Sequence, residues 1–248
     1  MIFQQILAFF SDPANWSGPD GIPVRVGEHL LYTLVVIAIA AVIALPAGAI
    51  IGHTRKGSWI VINIANASRA LPTLGLLTLM VLLLGLGFTP AAIVLVILAI
   101  PSILTAAYAG VKGVDPGVVD AARGIGMPEW RILLTVELPI AAKVILGGFR
   151  SAVLQIIATA TVAAYIALGG LGRFLLDGLA LRDYGQMAAG AILVALLALV
   201  ADGIFAVAGR FVGRHQRRAV PRRSVRQAAA ADVTTTRVIR VGVTEEDS

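Results

Sequence analysis

The chain has 248 residues, of which 58% are hydrophobic, 14% charged and 6% aromatic, with a further 26 glycines. A soluble domain carries about 25% charged residues to cover its surface, so this composition excludes a soluble enzyme and points to a helical membrane protein with several spans. The net charge of +6 sits largely at one end, where residues 210–248 hold nine Arg against four acids; the rest of the chain is nearly neutral, which excludes a nucleic-acid-binding body.

Met1 to Phe10 lacks a basic leader region and its apolar stretch is short. It reads as an interfacial segment or an extra partial span, not as a secretory signal. Residues 11–28 contain Pro13, Gly18, Pro19, Gly21 and Pro23 and read as a loop, so that 1–28 forms an N-terminal segment on one membrane face. A membrane domain over 29–212 follows. Its first span is expected from His29 to Ile51, around a 22-residue run without charge, Leu30 to Ile51. About 20 apolar residues are enough to cross the hydrocarbon core. Gly48 and Gly52 have the spacing that lets two helix backbones approach closely.

The second span is expected from Trp59 to Leu84, interrupted by Arg69 and Pro72; Pro72 removes a backbone donor and predicts a kink. The third runs from Ala91 to Val111, with Pro101 inside it. The fourth starts near Leu138-Pro139 and continues to about Leu168, where Gly169, Gly170 and Gly172 break it. A loop over 173–186 leads to the fifth, Met187 to Phe211. The tail over 213–248 is rich in Arg and Ala and is expected to be disordered. The fold class is therefore an all-α membrane protein of about five transmembrane helices. Lys and Arg near the span ends favour the cytoplasm. Arg55, Lys56, Lys112, Arg123, Arg131 and the tail arginines put the 112–137 loop and the tail inside and the N-terminus outside a cell membrane.

No phosphate-binding G-x-x-x-x-G-K-[ST] loop and no G-x-S-x-G elbow occurs, and the chain has no cysteine. His29, His53 and His215 lie in different segments, so neither a catalytic constellation nor a metal or cofactor site is expected. Any chemistry the chain depends on belongs to a partner.

The loop between the third and fourth spans is the informative stretch. Asp115-Pro116 reads as an N-cap followed by proline at the first helical position. Gly124 and Gly126 can end that short helix, and Pro128-Glu129 opens a second one over Trp130 to Val136. Together they predict a two-helix knob whose Val119, Ala122, Ile125, Met127 and Trp130 form a small apolar patch in need of a partner or a membrane surface.

Within this knob, Asp120-Ala121-Ala122, then Gly126, then Val136-Glu137-Leu138-Pro139 resembles the permease signature of ATP-binding-cassette importers: Glu-Ala-Ala, three residues, Gly, nine residues, Ile-x-Leu-Pro. All spacings agree; Asp120 replaces Glu and Val136 replaces Ile. Leu71-Pro72-Thr73-Leu74, Pro101-Ser102-Ile103-Leu104, Gly148-Phe149-Arg150-Ser151-Ala152 and Leu168-Gly169-Gly170-Leu171-Gly172 resemble stretches of the glycine betaine, carnitine and choline permeases. The resemblance covers roughly residues 27–212. It implies a permease core that pairs with a second permease and docks cytoplasmic ATPase subunits through Asp120, Ala121, Ala122, Gly126, Met127, Pro128, Trp130, Leu138 and Pro139. It also implies an extracellular solute-binding protein at the opposite face, in a membrane lipid setting. Methionine importers share several of these stretches, so an amino-acid importer is the alternative. A stand-alone secondary transporter, the rival class, has no use for the docking pattern.

Arg69, Arg150 and Asp202 fall inside predicted spans, each on the order of 15 Å from the cytoplasmic boundary at about 1.5 Å per residue. A charge at the centre of a membrane helix costs roughly 2.5–3.5 kcal/mol on insertion scales. Asp202 is therefore expected to neutralise Arg150 or Arg69, or to line a pathway or gate with Pro72, Thr73 and the 169–172 glycines.

Overall fold

The computed structural model describes residues 2–166 and 168–217. It is helical throughout these residues: α1 (Ile2–Ser11), a 3-10 turn (Pro13–Trp16), α2 (Ile22–Thr54), α3 (Ser58–Ala70), α4 (Thr73–Leu84), α5 (Phe88–Lys112), α6 (Pro116–Gly124), α7 (Glu129–Ile132), a π turn (Leu133–Glu137), α8 (Leu138–Thr159), a 3-10 segment (Ala160–Ile166), α9 (Gly172–Leu181) and α10 (Tyr184–Arg217). Among the described residues those up to Gly209 form one compact unit, and residues 210–217, the last turns of α10, belong to a second. Most of the Arg-rich tail expected to be disordered lies outside the described residues.

Four segments are long and apolar enough to cross a membrane: Ile22–Thr54, Phe88–Lys112, Glu129–Ile166 and Tyr184–Val212. The pair α3 and α4, bent by 92° where the sequence predicts a kink, is a broken span or a re-entrant loop, and brings the crossings to five if the two are one span. Pro72 at the break supplies no N–H, and the residue before a proline is driven out of the helical region; Leu71 is extended, with φ −74° and ψ 118°.

The centre of the bundle is α5, and small residues set how closely its neighbours approach. A Cβ on Gly48 would fall 2.5 Å from the Leu104 carbonyl, and one on Gly52 2.9 Å from that of Tyr108, so α2 lies directly against the α5 backbone. On the other side of α5, Gly148 of α8 meets Ala106 and the Ser102 carbonyl in the same way. Val36, Ala40, Ala99, Ile103, Ala152 and Ile156 fill the core between the three helices. Outward faces carry Val42, Leu82, Leu199 and Ile204, all exposed. Apolar faces of this extent are stable only against hydrocarbon or another apolar surface.

Three expectations are corrected. Residues 22–28 are already helical, because Pro23 suits the first turn of α2 and Gly21 caps it. The loop expected over 173–186 contains α9, a ten-residue helix whose Phe174 is buried against Phe9 and whose Arg173 and Asp177 pair at i,i+4. The second knob helix does not stand apart from the fourth span: α7 runs through the π turn straight into α8.

Candidate functional site

The knob between α5 and α8 is closed by local hydrogen bonds. The Asp115 side chain accepts from the Gly117 N–H at 2.8 Å and starts α6. At its other end Ile125 N–H donates to the Ala121 carbonyl, Gly126 N–H to Arg123, and Met127 N–H to Ala122 at 3.2 Å. Gly126 makes this closure in the left-handed region, at φ +79°, where a side chain would be strained. Pro128 then caps α7.

Val119 and Ala122 point inward, three residues apart on one face of α6. With Val114 and Ile132 they form a miniature core, flanked by Met127 and Val136. The expected apolar patch is therefore split. Its outward part is Ile125, 80% exposed, and Trp130, 60% exposed, joined by Val118 and Leu134. Ala121 and Pro128 are exposed beside them, Leu138 is half-buried, and Pro139 stands in the first turn of α8.

Charges brace the knob. Arg123 Nε donates to Glu129 Oε1 at 2.7 Å, its Nη2 to Glu129 Oε2 at 3.1 Å, and its Nη1 to Asp120 at 3.2 Å. The hydrogen bond from Arg123 holds the Glu129 carboxyl below the usual carboxylate range, with the charges of Arg123 and His53 adding to the effect. His53, at the end of α2, reaches across to the same group: its Nε2 lies 3.1 Å from Glu129 Oε2 and its Nδ1 2.5 Å from Glu137 Oε2. Glu137 is buried. In the sequence His53 stands only as one of three scattered histidines and Glu137 only as the variable position of the motif over 136–139, and neither carries a role there. Yet both stand where a span meets the same boundary, the depth argument that brought Arg150 and Asp202 under consideration as a pair.

Within the membrane-spanning helices, Arg150 of α8 and Asp202 of α10 meet in a two-pronged ion pair, Nε to Oδ1 at 2.6 Å and Nη2 to Oδ2 at 2.8 Å. Arg150 is thus the partner that Asp202 takes. Both side chains remain partly exposed, 45% and 32%, on the outside of this chain. Arg69 stands in the last turn of α3, and its side chain lies outside the described residues. Pro72 is the break itself, and Thr73 opens α4 beside a small cavity shared with Leu77, Ala91, Thr159 and Ala163.

The glycines at 169–172 form a joint at the opposite end of the bundle. The Gly170 N–H donates to Glu28 Oε2 at 2.7 Å, and Arg25 donates to the same oxygen at 2.9 Å while also pairing with Asp20. A Cβ on Gly169 would collide with the Glu28 carboxylate. Gly172 packs against the Thr161 backbone. Beside this joint His29, fully buried, donates from Nε2 to the Ile157 carbonyl at 3.0 Å, close to where α8 tightens into its 3-10 segment. A polar cleft of about 200 Å³ opens nearby, between Asn15, Asp20, Arg25, Arg173, Asp177 and Gln186. Among the described residues no three His, Cys, Asp or Glu side chains are grouped to hold a metal ion.

Comparison with known proteins accounts for this arrangement. Residues 30–214 match the family described as binding-protein-dependent transport system inner membrane component. The glycine betaine/carnitine/choline transport system permease protein OpuCB of Bacillus subtilis is 35% identical over 188 residues, 76% of this chain and 87% of that one. The choline transport system permease protein OpuBB of the same organism is 36% identical over 183 residues, 74% and 84% of the two chains. The osmoprotectant import permease protein OsmW of Salmonella typhimurium is 33% identical over 180 residues, 71% and 84%. Among solved structures, an inward-facing MetNI methionine ABC transporter superposes with a TM-score of 0.69 at 23% identity, over 82% of this chain and 99% of that one, a likeness of fold. The chain is a multi-pass membrane protein and belongs to the inner-membrane component family of binding-protein-dependent transport systems.

Proposed function

We propose that the chain is the permease subunit of an ATP-driven importer of compatible solutes of the glycine betaine, carnitine and choline type. The observation that carries this reading is the knob: a braced two-helix body, continuous with α8, tied to α2 and showing Ile125 and Trp130 outward. A rigid body of this kind transmits a push from a docked ATPase into the spans, which a flexible loop does not. The relatives named for these solutes support the substrate class. The chain itself hydrolyses no ATP in this reading; separate cytoplasmic ATPase subunits do so, docked on Ile125, Trp130 and the Asp120–Gly126 turn.

The orientation follows the Lys/Arg bias, with the knob inside and the cleft beside Arg25 and Arg173 outside, where a solute-binding protein delivers its cargo. A second permease completes the pathway. Selectivity resides mainly in the binding protein. Quaternary ammonium groups favour aromatic cages, and the described tyrosines form none: Tyr32 stacks on Phe88, Tyr108 meets Lys112, and Tyr165 is exposed.

The test is uptake of labelled glycine betaine, choline, carnitine and methionine at high external salt, in cells lacking their own uptake systems. The cells express the permease with its ATPase and binding protein. ATP-dependent uptake of the first three solutes is expected. Uptake of methionine alone contradicts the solute class, and uptake that persists without the ATPase contradicts the transport class.

A further inference from the structure

His53 joins two parts of the molecule that the chain itself does not connect. The knob is bound covalently to α5 through Gly113-Val114 and to α8 through the π turn, while α2 ends at Thr54 with no covalent tie to it. The His53 ring, 12% exposed, lies between Glu129 of α7 and Glu137 of the π turn and makes the polar tie of α2 to the knob, beside the cluster where Ala49 of α2 and Leu133 of the π turn both pack.

The geometry fixes the protonation that this contact needs. An ionised carboxylate only accepts hydrogen bonds, and a neutral imidazole has one donor and one acceptor. With both carboxylates ionised, a ring that has a carboxylate oxygen at each nitrogen, 2.5 Å and 3.1 Å away, satisfies both as imidazolium, with a proton on each. Histidine is the side chain whose charge ordinarily changes between about pH 5 and pH 8. The surrounding charges are few. Arg123 of α6 stands behind Glu129 and holds its other oxygen; Asp120 pairs with Arg123. At the end of α5, Lys112 turns its amine to the Tyr108 hydroxyl. Arg55 and Lys56 follow His53 on its own strand of chain and are exposed. Behind the ring, Gly52 seats α2 against Tyr108 and Val111, so a pull on His53 reaches the α2–α5 pair.

We propose that doubly protonated His53 is a positioning residue that fastens the coupling knob to the first membrane-spanning helix, and that loss of its proton to water loosens ATP hydrolysis from solute movement. This inference rests on the reading of the knob as the ATPase docking site. When the proton leaves, one carboxylate loses its donor, and the knob can rock on α5 and α8 without carrying α2 along. The ATPase then turns over with fewer solute molecules moved per ATP.

The experiment uses the assembled permease, ATPase and binding protein in proteoliposomes, with the pH on the knob side varied from about 5.5 to about 8.5 across the imidazole range. ATPase association, ATP hydrolysis and uptake of labelled glycine betaine are followed together. In the wild type, uptake per ATP is expected to fall with rising pH, on the order of tenfold for the loss of one charge-assisted hydrogen bond. His53→Arg, which keeps a cation at every pH, should flatten this slope. His53→Phe and Glu137→Gln should give a low ratio with no slope, while the ATPase still associates. A wild-type slope in His53→Arg, or a wild-type ratio and slope in Glu137→Gln, overturns the inference alone, and neither outcome depends on His53→Phe folding. Failure of the ATPase to associate with the wild-type permease overturns it together with the docking reading.

Discussion

His29 and His53 stand near opposite ends of α2, about 36 Å apart along the helix at 1.5 Å per residue. His29 is buried with a backbone carbonyl as its ring partner, and its neighbour Glu28 is held by the Gly170 N–H and Arg25. A carbonyl needs one N–H and no charge, so the His29 contact does not depend on an ionised ring. His53 faces two carboxylates, a contact whose strength depends on a proton. One helix thus carries a permanent lock at the cleft end and a releasable tie at the knob end. In the proposed mechanism this asymmetry serves a lever: one end stays while the other follows the ATPase.

The largest effect is expected at the lock. His29→Phe keeps the volume but leaves the Ile157 carbonyl without its side-chain donor, which costs about 1–3 kcal/mol. Thermal unfolding in detergent should shift down by the same amount at pH 6 and pH 8. A loss confined to one pH would erase the contrast with His53. Gly170→Ala comes next: its φ of +81° costs an L residue about 1–2 kcal/mol, and the pin to Glu28 should loosen with it.

A third test probes the ion pair between the two ends. Asp202→Ala leaves Arg150 unpaired inside the membrane, so the double variant Arg150→Ala, Asp202→Ala should be less damaged than the sum of the single ones. Strict additivity in melting temperature would mean that the two charges do not rely on each other.

The smallest effect belongs to the exposed clasp of Arg123 and Glu129. Because the Glu129 carboxyl is held low, the clasp is fully present above the free carboxylate value of about 4.3 and is lost as pH falls through the lowered one. Glu129→Gln should remove that acid-side loss and change the melting temperature little at neutral pH, where exposed ion pairs contribute little.

The membrane plan was legible because charge-free runs the width of a bilayer leave few alternatives. The Arg150–Asp202 pair was within reach because helix rise converts sequence position into depth. The knob was legible from Asp115, Pro116 and Gly126, whose capping and turn roles are local. Its facing was not: which side of a nine-residue helix is covered depends on Val114 and Ile132, from outside that helix. α9 was missed because Arg173, Asp177, Arg182 and Asp183 look like a loop; the helix is marked instead by Phe174 and Gly178, four residues apart on its buried face, with Phe174 packed against Phe9. The His53–Glu137 contact spans 84 residues, and neither side chain is unusual alone.

The central claim, that an ATPase acts on this permease through the knob, has a direct measurement. The chain contains no cysteine, so Ile125→Cys places a single thiol on the most exposed turn of the knob. In membranes containing the ATPase and binding protein, a short thiol-reactive cross-linker at this position should join permease to ATPase in high yield. Trp130→Glu in the same chain should abolish both the adduct and glycine betaine uptake, while leaving the permease in the membrane. ATP-dependent uptake at the wild-type rate, with no adduct at position 125 and no sensitivity to Trp130→Glu, would contradict the account.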